Sequence, residues 1–357
     1  MQDSGTTASL RGIDAVDDKV AWASGSEGTV LKTTDSGAHW TKCTVPDGDK
    51  DGATLDFRGV QAWDATTAIV MASGLGDKSR LYKTKDGCSH WALLYANKDK
   101  AGFWDAFVFW ARGNGLLLGD PTETTYDRPG DSLNWLHLEF TVFFTGDGGA
   151  TWTRQVYSRR SPLEVVDANE SAAFAASNSA LAIVGHNAWI GTGGKKGANV
   201  LVGDLYSTSD KPELCDCDPM PPTTMWFTHS VPAPLAAGAE STGVFSLHFR
   251  DAQHGMAVGG DYTKPNASAG TAAWSSDGGN HWTAPTTPPH GYRSAVQWSE
   301  ELRAWVAVGT NGSDVSRDDG RTWLPLDNGN WNALSLPFIV GPKGRIAHLN
   351  ASALPHP

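Results

Sequence analysis

Long apolar runs are missing from this chain. None approaches the eighteen or so consecutive residues that a membrane-crossing helix requires, and the opening residues Met1-Gln2-Asp3-Ser4-Gly5 are polar and unlike an export signal. Charge is sparse, 19% of 357 residues, and leans acidic, with a formal net charge of -11. No basic run occurs, which argues against a nucleic-acid partner, because phosphate backbones are bound by clustered Lys and Arg that displace counterions. Cysteine is scarce as well: Cys43, Cys88, Cys215 and Cys217 are all there are. Cys215-x-Cys217 lies in an irregular Pro-rich stretch, Leu214 to Pro222, with no His at zinc-finger spacing, so structural zinc is not expected. Neither His-x-His nor His-Glu-x-x-His spacing occurs, and no motif calls for a metal or a cofactor.

What the chain has in quantity is Gly, 40 residues, and Trp, 16, the composition of many short strands and turns. Its organising stretch is Thr33-Thr34-Asp35-Ser36-Gly37-Ala38-His39-Trp40, which returns as Thr84 to Trp91, Thr145 to Trp152, Ser275 to Trp282 and Ser316 to Trp323. Each copy keeps a hydroxyl residue, an Asp two places on, a Gly soon after and a closing Trp. Such a segment reads as a tight turn between strands: hydroxyl and carboxylate bond nearby amides, Gly takes a left-handed angle, and Trp folds back as an apolar pin. The phrase resembles the Asp-box (BNR) repeat, Ser-x-Asp-x-Gly-x-x-Trp, of sialidases and related propellers. With its flanks, as in Trp22 to Trp40, it looks most like bacterial proteins related to the YCF48-type photosystem II assembly factor. That resemblance covers nearly all of the chain outside the fourth repeat and an insertion in the third.

The expected architecture is all-β, a single domain over residues 1–357 in which four antiparallel strands make each blade of a seven-bladed propeller. The blades fall at about 10–46, 55–97, 102–156, 170–234, 243–286, 291–327 and 331–350, the last completed by residues 2–8, which removes exposed sheet edges. The third blade carries a long loop from Asp120 past Asp131, and loops of that length commonly serve binding. The fourth has no legible box. Its inner strand is expected at Ala172–Ala176, its second at Leu181–Gly185 and its third at Asn199–Val202, with Gly191–Gly197 as a hairpin turn. Cys43 and Cys88 fall near consecutive boxes; a disulfide and plain buried thiols both fit, and the pair Cys215 and Cys217 is open in the same way.

Aligned inner-strand starts give Arg11, Arg58, Asp105, Ser171, Phe245, Arg293 and Asn332 around one channel mouth. Loops after the second strands add Asp120 to Glu123, Asp261, Tyr262 and Asn311, while Glu170 and Tyr292 immediately precede inner strands. Arg11, Arg58 and Arg293 read as an anion site, since guanidinium groups bond carboxylate, sulfate or phosphate in pairs; the alternative is that each pairs with a neighbouring carboxylate. Arginines, tyrosines and carboxylates at one mouth resemble the sialidase superfamily. That resemblance implies Arg11, Arg58 and Arg293 as carboxylate binders, Tyr292 or Tyr262 as nucleophile, Glu170 as its base and Asp120 or Asp261 as acid, with Asp105, Asn311 and Asn332 completing the ligand site. Leu10-Arg11-Gly12-Ile13 lacks the proline of the sialidase Arg-Ile-Pro motif. Two functions are therefore expected: a sialidase-like glycoside hydrolase or binder of an anionic carbohydrate, and a non-catalytic binding or assembly platform of the YCF48 kind. The partner is a small anionic ligand or glycan, or a protein, and the chain is expected to be monomeric. Trp-rich Asp-box propellers are commonly exported, so the resemblance implies a secreted or periplasmic protein.

Overall fold

The computed structural model describes residues 1–126, 135–155, 170–207 and 223–350. Cys215, Cys217, Asp131 and the Leu214 to Pro222 stretch lie outside them. Every described sheet pairs its strands antiparallel. The first sheet runs β1 (Leu10–Ala15), β2 (Ala21–Gly25), β3 (Val30–Thr33), β4 (Thr41–Lys42), each strand beside the one before it. The second repeats the order with β5 (Phe57–Ala62), β6 (Ala68–Ala72), β7 (Arg80–Thr84) and β8 (Ala92–Ala96). The third has β9 (Trp104–Phe109), β10 (Gly115–Tyr126), β11 (Trp135–Thr145) and β12 (Thr153–Arg154), so the expected insertion begins and ends as a long hairpin.

The fourth repeat departs from the expected placement. Ser171–Ala172 is only a two-residue strand, β13, and the inner strand is β14 (Leu181–Val184). Beside it lie β15 (Asn187–Gly194), β16 (Asn199–Ser207) and β17 (Thr223–Pro232). Gly191 to Gly194 thus belongs to a strand, and Trp189 in Ala188-Trp189-Ile190 packs where Trp22 and Trp305 do in their own sheets, opposite the inner strand. The glycines of the expected hairpin turn had masked that pattern. Through Gly193 and Gly194, β15 also touches β18 (Ala239–Phe249), which continues into β19 (Gly255–Asp261) and β20 (Ala272–Ser275), giving one eight-stranded sheet. The next sheet contains β21 (Ala295–Ser299), β22 (Ala304–Gly309), β23 (Gly312–Ser316) and β24 (Leu324–Asp327). The last has three strands, β25 (Ala333–Ser335), β26 (Phe338–Val340) and β27 (Ile346–His348), with Gln2 bridging Ile346 on the open side. That contact is a single bridge; Gln2 is held there because its amide also donates to Ser36 O (3.0 Å) and accepts from the Trp40 indole (2.9 Å).

Side chains on the inner strands tie each unit to the next. Asp14 accepts from Ala62 N (2.6 Å), Gln61 brackets both backbone groups of Phe109, and Asn178 brackets those of Phe107. Ser179 donates to Ser246 (2.7 Å), Ser246 accepts from Val296 N (3.0 Å), Gln297 accepts from Leu336 N (2.8 Å), and Ser335 accepts from Ala15 N (2.9 Å), which returns to the start. Apolar clusters fill the wedges behind this ring, for example Leu10, Ala23, Phe338 and Ile346 where first and last units meet.

The recurrent octapeptide forms the turn after the third strand, leading into a fourth strand in four sheets and, after β20, into a single bridge between Thr283 and Trp274. In all five copies the hydroxyl donates to the Asp at 2.8–2.9 Å and accepts from the amide four residues on at 2.9–3.0 Å. His39, His90 and His281 close onto the Asp of their own turn, which accounts for their shared position. Cys43 and Cys88 form a disulfide that joins the end of the first sheet to the turn of the second.

Candidate functional site

Four inner strands carry a bulge. The ladder slips between Leu10 and Gly12, between Phe57 and Gly59, opposite Asp105, and between Val244 and Ser246. An extra residue in a strand is re-aimed relative to its neighbours, and here the extra residues are Arg11, Arg58, Asp105 and Phe245. The glycine after Arg11 permits close packing: a Cβ on Gly12 would lie 2.6 Å from Ser24 Oγ and 3.1 Å from Arg58 O.

The two bulge arginines meet on one carboxylate. Arg58 Nε donates to Asp56 at 2.9 Å, and Arg11 Nε lies 3.8 Å from the other Asp56 oxygen. Arg58 also donates to Ala175 O (3.3 Å) and sits over the Phe103 ring, 6.0 Å from its centre. Arg11 Nε and Asp56 Oδ1 are buried, and neither makes a hydrogen bond among the described residues. Burial lowers the Arg11 pKa, opposed by Asp56 and reinforced by the like charge of Arg58. Near Arg58, Asp105 is 1% exposed, with one oxygen buried and unbonded among the described residues. Burial first, then Asp120, pushes its carboxyl far upward, and burial raises Asp120 to about 6. Burial and mutual repulsion both favour the protonated form, so the pair holds a proton to higher pH than free carboxyls do.

Within electrostatic reach of Arg11 lies an aromatic wall. Phe174 and Phe245 stack with ring centres 3.8 Å apart, Tyr292 meets Phe245 edge-on at 4.9 Å, and Tyr262 does so at 6.1 Å. Tyr262 is half exposed, whereas Tyr292 is 4% exposed and within electrostatic reach of Arg11. Burial drives the Tyr292 phenol upward, against a smaller opposing effect of Arg11, with Tyr262 adding to the rise.

No protein-family model matches the chain, and no curated protein matches it in sequence. Solved structures do match. YCF48 bound to a D1 peptide shares 13% identity at a TM-score of 0.57, covering 98% of this chain and 96% of that one. YCF48 from Cyanidioschyzon merolae shares 16% at a TM-score of 0.60, covering 96% and 95%. The WD40 β-propeller domain of Doa1 shares 11% at a TM-score of 0.53, covering 96% and 92%. The chain is a β-propeller.

Several expected site residues occupy other places in the propeller. Arg293 is 0% exposed; it pairs with Asp314 and donates to Tyr292 O and Asn311 Oδ1, both at 2.6 Å. The cause is a one-residue slip in register. Arg293 N bonds Gly259 O as Leu10 N bonds Gly341 O, so Arg293 matches Leu10, and Ser294 holds the place corresponding to Arg11. Asn311 is occupied with Arg293, His290 O and Asn266. Asn332 takes the Arg11-like place but donates to Leu10 O (2.7 Å) and Ser9 (3.3 Å), joining last and first sheets. Asp261 closes a turn onto Thr263, and those bonds, with Ser241 and Lys264, hold it down at about 2, the wrong direction for a general acid. Glu170 is exposed and acts on Lys195; Ser171 beside it belongs to β13 rather than to an inner strand. Sequence reasoning missed Asp56, Phe103 and Phe174. Asp56 and Arg58 stand two residues apart around the start of the same inner strand, and that Asp-x-Arg spacing was the available signal.

Proposed function

We propose that this propeller is a non-catalytic platform that captures an acidic peptide segment at the mouth holding Arg11, Arg58 and the aromatic wall. The observation carrying this reading is the meeting of both arginines on Asp56 beside Phe103, with buried Arg11 and Asp56 atoms left unbonded among the described residues. A ligand carboxylate would take over part of Asp56's role, and apolar side chains would lie on Phe174 and Phe245. That the structural neighbour YCF48 is bound to a D1 peptide supports a peptide as the class of partner. Burial opposes ionisation of Tyr292, and no described carboxylate is among the groups perturbing it, which weighs against Tyr292 as a glycosidase nucleophile. Arg293, the third member of an arginine triad, is engaged elsewhere.

The propeller counts as seven-bladed when the eight-stranded sheet is divided at its short β15–β18 link, supported by the ring of side-chain bonds through successive inner strands. The five recurrent turns count as Asp-boxes on their hydrogen bonds. The Cys43–Cys88 disulfide supports an oxidising compartment, hence a secreted or periplasmic protein.

The test is fluorescence anisotropy with labelled peptides carrying Glu and with their Gln counterparts. A charge-assisted pair contributes about 1.5–3 kcal/mol, so the Glu peptides should bind at least tenfold tighter, and Arg58→Gln should erase the difference. Equal binding of both series, or an unaffected Arg58→Gln, refutes the platform; turnover of sialic or uronic acid glycosides that depends on Tyr292 would restore the hydrolase.

A further inference from the structure

Beside the central mouth, between the second and third sheets, lies a separate cavity of about 190 Å³. Phe103 is their common wall: it lines this cavity and carries the Arg58 guanidinium 6.0 Å from its ring centre. The floor is aromatic. Tyr95 stacks on Trp104 with centres 5.4 Å apart and planes 12° apart, and Phe143 meets Tyr95 edge-on at 5.6 Å. The opposite side is polar: Thr122 and Thr141 share a hydrogen bond of 3.0 Å, and Arg154 donates to Thr122 at 2.9 Å. Trp104 is 1% exposed, and its indole N–H makes no hydrogen bond among the described residues. A wall of this kind suits a group that is flat and apolar over most of its surface and bears an oxygen at one end.

We infer that this cavity is a side-chain pocket for a tyrosine of the bound peptide. The ring would lie against Tyr95 and Trp104 while the phenol oxygen meets the Thr122, Thr141 and Arg154 side. This deepens the proposed function and rests on the central site holding the peptide's acidic residue. An extended chain advances about 3.3–3.6 Å per residue, so a tyrosine two or three positions from a carboxylate bound at Arg58 reaches past Phe103. Phenylalanine fills the same floor but leaves the polar side unmatched. The rim residues Lys98 and Asp99 are both exposed and of opposite sign, so the pocket selects by shape and by the phenol rather than by net charge.

The experiment uses the whole chain and two probes. Peptides with Glu followed at two or three residues by Tyr, Phe or Ala are titrated by anisotropy; Tyr should improve affinity over Ala about tenfold and over Phe by a smaller factor. Arg154→Met should remove the Tyr-over-Phe advantage, Tyr95→Ala most of the Tyr-over-Ala gain, and Arg58→Gln should weaken all three peptides equally. Equal affinity of the Tyr and Ala peptides, or a tyrosine gain that survives both pocket variants, overturns the pocket. N-acetyl-L-tyrosinamide, followed by saturation-transfer NMR on the wild-type protein, tests the pocket without the central site or any variant. Binding in the millimolar range, displaced by the Tyr peptide, is expected. Its absence overturns the pocket even if the central site holds, whereas fragment binding with no Glu dependence of the peptides overturns the central site alone.

Discussion

Removing the disulfide separates two effects that the sequence places on one residue. Cys43 and Cys88 are 45 residues apart, and closing a loop of that length removes about 4 kcal/mol of unfolded-state freedom in the chain-entropy treatment. Cys88 also stands where the other four recurrent turns have Gly37, Gly149, Gly279 and Gly320. Its φ of 73° matches theirs of 79°, 90°, 84° and 81°, a region that penalises any side chain. That penalty is about 1 kcal/mol, and the disulfide outweighs it. The variant Cys43→Ala/Cys88→Ala should therefore lose about 4 kcal/mol, while Cys43→Ala/Cys88→Gly should lose about 3. At roughly 2.1 cal/mol/K per residue, unfolding entropy for a chain of this size converts these losses into Tm decreases of about 5 °C and about 4 °C. The assay is calorimetric melting at neutral pH, with a reductant series on the wild-type protein as an independent route to the same loss. A wild type indifferent to reduction, or an alanine variant that melts above the glycine variant, would refute the reasoning.

Arg293 and Arg58 should behave oppositely. Arg293→Met removes the guanidinium partner of the buried Asp314 carboxylate and leaves it His290 alone, costing about 3 kcal/mol by melting while peptide affinity at the folded state is kept, whereas Arg58→Gln should cost affinity with a much smaller change in Tm. Asp105 carries a folded-state pKa above its unfolded one, so the native state binds the extra proton and stability falls as pH rises above about 4. Asp105→Asn should accordingly raise stability at pH 7.5, with the gain vanishing near pH 4 in paired melting curves. Gln2→Ala removes the bonds to Ser36 and Trp40 that hold the start of the chain against the last sheet, and should cost about 1–2 kcal/mol in denaturant titration.

The architecture was legible in the sequence because the recurrent turn acts as a ruler: counting back from Trp40 and Trp91 places Arg11 and Arg58 correctly. The ruler failed in two ways, each with a physical cause. Arg293 looked equivalent to Arg11, but the equivalence depends on a bulge of one residue, and a bulge leaves no mark in hydrophobic alternation. In the fourth repeat no turn was available to count from, and the glycines of β15, needed because Gly193 and Gly243 pack against each other and Phe174, resembled a loop. Arg11, Arg58, Asp105, Phe245, Tyr262 and Tyr292 were readable as mouth residues, but their partners were not. Asp56 as the shared partner, and Phe103 and Phe174 as walls, come from neighbouring sheets that only the closed ring brings together.

The central claim is that an acidic peptide docks at the inner-strand mouth without being chemically altered. Photo-crosslinking tests it most directly: a peptide with a benzophenone residue beside its Glu is irradiated with the full-length chain, and adducts are mapped by mass spectrometry alongside recovery of intact peptide. The account predicts adducts confined to segments around Asp56–Arg58, Phe103–Asp105, Phe174, Phe245 and Tyr262, lost in Arg58→Gln. Adducts on the outer turns near Asp35 or Asp318 instead, or processing of the peptide, would contradict it.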